Sequence, residues 1–150
     1  MKAVILVGGR GTRLVEETKS KPKPMVKIGE KPILWHIMKI FSHYNINEFV
    51  LCCGYKYEII KEYFENISEK WSVEVVDTGL DTMTGGRIKR IEKHINNEKF
   101  FLLYGDDLKA VNITELLNFH IKNKKFVTVT AAQPPGRFGI LKLEEDNVVE

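Results

Sequence analysis

The segment KAVILVGGRGTRL (2–14) decides how the chain is read. After Lys2 it opens with a continuous apolar run, as a strand buried on both faces of a parallel sheet requires. Gly8, Gly9 and Gly11 follow at once, so the strand ends in a loop that can turn sharply and bring several backbone N–H groups onto one anion. Between Val7 and Pro24, three glycines share eighteen positions with five basic residues, Arg10, Arg13, Lys19, Lys21 and Lys23. That order of strand, glycine loop and positive charge suggests a phosphate cradle. The competing explanation is a strand-to-helix turn that merely needs glycine. Neither a dinucleotide fingerprint nor a P-loop is present, because GGRG lacks the spacing of the first and no G-K-[ST] follows.

Beyond this strand, apolar runs of strand length alternate with stretches of helical period. EFVLCC (48–53), WSVEVVD (71–77), KFFLLY (99–104) and KFVTVTAA (125–132) read as further strands. Helices are expected over 31–44, with Ile33, Ile37, Ile40, Phe41 and Tyr44 on one face, and over 57–64, 85–95 and 113–123. The tail FGILKLEEDNVVE reads as a strand, a turn and the start of another strand, so the chain is expected to stop in mid-element. The alternation predicts an α/β fold, a doubly wound and mostly parallel sheet, in a single domain over 1–150 that is incomplete at its C-terminus.

Composition narrows the function classes. The 150 residues are 43% hydrophobic and 29% charged, with a net charge of +3, the profile of a folded domain rather than a disordered chain. The basic residues form no block or helical stripe, which argues against nucleic acid. The first apolar run is too short for a signal peptide and no run has the length of a membrane span, so a cytosolic protein without a membrane partner is expected. Cys52 and Cys53 are adjacent and have no ligating neighbours, which suggests two reduced, buried thiols. His36, His43, His94 and His120 lie on separate expected helices and read as packing or surface residues.

Three more stretches carry chemistry. In K-P-K-P-M, Pro22 and Pro24 are expected to hold the backbone extended around Lys23 and aim its ammonium at a fixed phosphate. In YGDD, Asp106 and Asp107 stand at the carboxyl end of a strand, where hard oxygens suit Mg²⁺ bound mainly through substrate phosphates. In DTGLDTMTGGRIKR (77–90), glycines open a helix beside Arg87, and Lys89 and Arg90 read as its solvated face.

Taken together, AVILVGGRGTRL, PKPMVKIGEKPILWHIM, CCGYK, TMTGGR, YGDD and PPGRFG resemble the sugar-phosphate nucleotidyltransferases, and within them the cytidylyl-transferring branch. The resemblance runs from Met1 to about Leu143 and implies the Rossmann-like nucleotide-diphospho-sugar transferase fold. It also implies transfer from CTP to α-D-glucose 1-phosphate, giving CDP-glucose and pyrophosphate for surface-polysaccharide synthesis, with Mg²⁺ as cofactor. Carried over by position, it implies that Leu6, Val7, Gly8, Gly9, Arg10, Gly11, Thr12 and Arg13 line the nucleotide. Lys23 would neutralise the triphosphate, Thr82 and Arg87 would contact the nucleotide, Gly105 would let the chain approach it, and Asp106 would hold the metal. Arg13, Lys23 and Asp106 are then the catalytic set. A homo-oligomer is a further expectation, since relatives assemble into oligomers. The chain departs from the family at Asp107, where relatives have glycine. It also ends ahead of the family's glutamate-lysine-proline motif, its sugar-binding half and its second metal-binding aspartate. A nucleotide-binding module without turnover, or a relative using another nucleotide and sugar phosphate, are the alternatives.

Overall fold

The computed structural model describes residues 1–11, 20–132, 143–144 and 147–148. It divides into two compact units, 1–114 and 115–150. In chain order the first unit holds β1 (Lys2–Leu6), a 3-10 turn (Lys23–Met25), and a short antiparallel pair, β2 (Lys27–Ile28) and β3 (Lys31–Pro32). Then come α1 (Ile33–His43), β4 (Glu48–Cys53), α2 (Tyr57–Glu65), β5 (Ser72–Asp77), α3 (Thr84–Arg90), α4 (Glu92–Ile95) and β6 (Phe100–Tyr104).

The four long strands form one parallel sheet in the order β5-β4-β1-β6. β1 lies between β4, where Val4 faces Val50, and β6, where Val4 faces Leu102. The chain therefore starts at the centre, winds outward through β4 and β5, and returns to the other side of β1. The loops after β1 and β6 diverge at that reversal, and a crevice opens at the carboxyl end of such a switch point.

Alternation along each strand splits the apolar side chains between two cores. Ala3, Ile5, Phe49 and Leu51 face α1 and α2, packing with Leu34, Ile37, Met38, Phe41, Ile60 and Phe64. Val4, Leu6, Val50 and Cys52 face the other way, onto Ile88, Ile91 and Ile95. Helices on both faces of a parallel sheet explain why β1 and β4 read as continuous apolar runs rather than alternating ones. The buried stripe of α1 is Leu34–Ile37–Met38–Phe41, spaced i, i+3, i+4, i+7, with Ile33 and Tyr44 only packed against its rim. The helix expected over 85–95 is two short ones, broken at Ile91, whose side chain is fully buried.

The second unit continues from α5 (Ile113–Asn123), which begins at the boundary, and ends in the antiparallel two-residue strands β7 (Leu143–Glu144) and β8 (Asn147–Val148). Of the pattern expected for the tail, a paired strand segment on each side is present, and the rest lies outside the described residues. The strand expected over 125–132 does not form: those residues are irregular, with Phe126, Val127 and Val129 exposed. β-branched composition alone does not make a strand when no neighbouring backbone takes its hydrogen bonds. Among the described residues no helix is long and apolar enough to cross a membrane.

Candidate active site

The carboxyl ends of β1, β4, β5 and β6 bring the sequence-singled residues that are described in the first unit to one edge. Leu6 and Val7 are buried, at 8% and 1% exposure, so their side chains belong to the core and only their backbone reaches the edge. The Leu6 carbonyl accepts a bond from the Gly105 N–H at 3.0 Å, which carries the β1–β6 ladder one step past the strands. Gly8 is buried, Gly9 and Arg10 are exposed, and Gly11 has φ +66°, a value glycine adopts at no steric cost. Arg10 reaches across to Asp81 in the loop after β5, at 2.8 Å. Thr12 and Arg13 lie outside the described residues, as does the PPGRFG stretch.

Lys23 is held differently from the extended geometry expected. Pro22 is extended, but Lys23–Met25 forms a 3-10 turn closed by Met25 N–H to Pro22 O at 2.8 Å and Val26 N–H to Lys23 O at 3.0 Å. Proline's fixed φ suits the opening of a helical turn. Both prolines are buried on either side of the lysine, so its stem leaves a rigid base. Its ammonium donates to Asp106 Oδ2 at 2.5 Å, with the two side chains 28% and 37% exposed. Asp107 turns the other way and pairs with Lys109 at 2.6 Å.

Gly105 sits where these parts meet. A Cβ there would overlap Val7 Cγ1 and lie 3.2 Å from Pro24 Cγ and 3.3 Å from Leu6 O. The close approach this glycine permits is between β1, β6 and the lysine turn.

Arg87 stands behind the glycine loop, 6% exposed. Its Nη1 donates to Cys53 O and Thr78 Oγ1, both at 2.7 Å, and its Nη2 to Gly8 O at 3.1 Å and Leu80 O at 3.2 Å. Thr82 Oγ1 accepts from Arg90 at 2.6 Å, and Arg90 also donates to Thr78 O at 2.5 Å. Arg90 is therefore a structural strut rather than part of a solvated face, whereas Lys89 is exposed and pairs with Glu92.

Sequence reasoning missed Thr78, Gly54 and Asp81. Thr78 is fully buried and donates its hydroxyl to Cys53 O at 2.6 Å. The signals were present in CCGYK and DTG, a glycine one and two residues past a strand's end, but nothing local connects either to Arg87. The thiols are as expected, free and buried. Burial pushes Cys52 up to about 11, opposed by Arg87, and raises Cys53 further, with Cys52 and Asp77 adding to the burial effect.

The donor set fits a hard divalent cation only in part. Among the described residues no three His, Cys, Asp or Glu side chains cluster as a metal cage. Asp106 offers one carboxylate at the crevice. One or two carboxylates completed by substrate phosphates is the usual arrangement for Mg²⁺.

A glycine loop and a lysine–carboxylate pair at a switch point can position a polyphosphate and offset its charge. Comparison with known proteins agrees with that chemistry. The chain is 47% identical to glucose-1-phosphate cytidylyltransferase of Salmonella typhi, over 99% of its own residues and 66% of that protein's. It is 36% identical to D-glycero-alpha-D-manno-heptose 1-phosphate guanylyltransferase of Campylobacter jejuni, over 99% and 66% respectively. The chain thus spans just under two thirds of the length of these relatives. Among solved structures, HddC from Yersinia pseudotuberculosis complexed with GMP-PN superposes with a TM-score of 0.69 and 29% identity, covering 80% of this chain and 54% of that one. The nucleotidyl transferase family model matches residues 2–150, and the chain belongs to that family.

Proposed function

We propose that this chain carries the nucleotide-binding part of an enzyme that transfers a cytidylyl group from CTP to α-D-glucose 1-phosphate. The observation that carries the reading is the convergence of the Gly8–Gly11 loop with the Lys23–Asp106 pair at the β1/β6 switch point. The 47% identity to a cytidylyltransferase supports the choice of base and sugar. In the reaction a phosphate oxygen of the sugar attacks the α-phosphorus of CTP, the bond to the bridging oxygen breaks, and pyrophosphate leaves with that electron pair. A phosphate monoester is already ionised near neutral pH, so the protein needs no general base. Its work is to hold two anions together, and backbone N–H groups of the glycine loop, Arg10 and Lys23 do that electrostatically. Asp106 would hold Mg²⁺, which when bound supplies further neutralisation of the phosphates. Thr12 and Arg13 complete the loop in this proposal.

Thermal unfolding with CTP, GTP, UTP or dTTP, each with Mg²⁺, tests the reading. A ligand at about a hundredfold over its dissociation constant adds roughly 2.7 kcal/mol, a rise of about 5–10 °C for a chain of this size. CTP is expected to give that shift, and Lys23→Ala to weaken CTP binding by about 10- to 100-fold, the worth of a charge-assisted hydrogen bond. No shift with any nucleotide overturns the proposal. A shift with GTP alone would move the base to that of the guanylyl-transferring relative.

A further inference from the structure

Arg87 is buried, and its four bonded oxygens are all neutral. A guanidinium has five N–H donors, two on each Nη and one on Nε. Both Nη atoms are fully spent on Cys53 O, Thr78 Oγ1, Gly8 O and Leu80 O, leaving the fork without a donor pair for a phosphate or a base. These four bonds tie together the end of β4, the start of the loop after β5 and the first glycine of the loop after β1.

Two glycines owe their identity to this side chain. Neither Gly8 nor Gly54 has a positive φ, so backbone conformation does not demand glycine at either place. Yet a Cβ on Gly8 would overlap the Arg87 guanidinium, and one on Gly54 would lie 2.7 Å from Arg87 Nη1, 3.0 Å from Nη2 and 2.8 Å from Gly79 O. The guanidinium packs directly against both residues. A Cβ on Gly9, by contrast, would meet nothing within 4 Å.

Peptide planarity turns that contact into a consequence for the ligand. In a trans peptide the C=O and the following N–H point in opposite directions. Holding Gly8 O against Arg87 therefore points the Gly9 N–H away from Arg87 within the same peptide plane, at an exposed residue.

We infer that Arg87 is a positioning residue, which presets the Gly8–Gly9 peptide and so aims the loop's first anion donor. The inference rests on the nucleotide reading proposed above, but its structural half can be measured without ligand. Two variants loosen the hold in different ways: Arg87→Lys keeps the charge and loses the fork, and Gly54→Ala keeps Arg87 and displaces it. In the ligand-free chain, amide hydrogen exchange is followed at Tyr55, whose N–H donates to Gly8 O, and at Thr78, whose N–H donates to Cys53 O. Both variants are expected to speed exchange there at least tenfold relative to amides in the middle of α1. CTP affinity, measured by calorimetry at a temperature where each variant is fully folded, is expected to fall at least tenfold in parallel. A merely structural role would lower the melting temperature and leave that affinity unchanged. Unchanged exchange in both variants, or faster exchange with CTP affinity within twofold of the parent, overturns the inference. If the parent chain itself binds no nucleotide, the proposed function falls, and the exchange comparison alone decides whether Arg87 holds the loop.

Discussion

Gly105→Ala is the sharpest test of how the site is assembled. The added methyl would overlap Val7 Cγ1 and press on Pro24 Cγ at 3.2 Å and Leu6 O at 3.3 Å. None of these neighbours yields easily. Val7 is 1% exposed and packed in the core, Pro24 is buried in the turn that carries Lys23, and Leu6 O is bonded to the Gly105 N–H. Overpacking of this kind costs about 1–3 kcal/mol. At about 2–4 °C per kcal/mol for a chain of this length, the melting temperature should fall by about 2–12 °C. Val7→Ala removes the main obstacle, at a cost near 2 kcal/mol for two buried methyl groups and the space they leave. In the double variant the new methyl occupies part of that space. The two changes should therefore cost less together than the sum of each alone, by about 0.5–2 kcal/mol. Urea unfolding of the four proteins, read as a double-mutant cycle, measures that coupling. Additivity within about 0.3 kcal/mol, or a stable Gly105→Ala single variant, would refute the argument that this glycine exists for the β1–β6–turn junction.

Asp107 pairs with the half-exposed Lys109, so Asp107→Gly should cost under about 1 kcal/mol and leave CTP and Mg²⁺ affinity within threefold by calorimetry; a tenfold loss would place Asp107 at the metal after all. The Glu74 carboxyl is held below its ordinary value first by Lys2 and then by His94. A depressed folded-state value contributes stability that is fully present above the unfolded value of about 4.3 and is lost as pH falls through the folded one. Glu74→Gln should therefore be less stable than the parent near neutral pH, by under about 1 kcal/mol for so exposed a pair, with the gap closing in acid; a pH-independent gap in chemical unfolding would contradict the assignment. Cys52 and Cys53 are both fully buried, the first pushed up to about 11, so iodoacetamide at pH 8 should label neither in the native chain and both in urea, as mass spectrometry will show.

Legibility followed the range of the interaction. β1 and β4 were readable because residues buried on both faces must be apolar without a break, and β5 and β6 because they are strand-length runs rich in β-branched or aromatic residues; both signals lie within the strand itself. α1 was readable from its period, although its stripe centres on Leu34 and Met38 rather than on Ile33 and Ile40. The 125–132 strand misled because its β-branched residues resemble a strand whether or not a partner is beside them. The prolines fixing the backbone beside Lys23 were legible, since flanking prolines act locally, but the extended geometry expected there is a 3-10 turn instead. Arg87's place behind the loop was not legible at all. Its partners lie up to 79 positions away, and a buried arginine bonded to carbonyls leaves no mark in its own neighbourhood. Gly8 was read, with Gly9 and Gly11, as letting the loop turn sharply onto an anion, whereas what excludes a side chain at Gly8 is the Arg87 guanidinium.

The strand order also sets when the site can come into being. β4 and β5 pair across a short span, Glu48 with Ser72, whereas β1 meets β6 with Lys2 beside Phe100, 98 positions on. Closing the longer span costs about 1.2 kcal/mol more in chain entropy than closing the shorter. On the ribosome, at about 5–20 residues per second, some 5–20 s separate the emergence of β1 from that of its second partner. Throughout that interval the glycine loop exists as sequence without Lys23's carboxylate partner or the Gly105 junction to shape it. β1–β6 closure is the contact of highest separation in the sheet, and slow steps in folding follow such contacts. On the function proposed above, a nascent chain is therefore blind to nucleotide until β6 docks, and a ligand that binds only the assembled crevice reports on that closure.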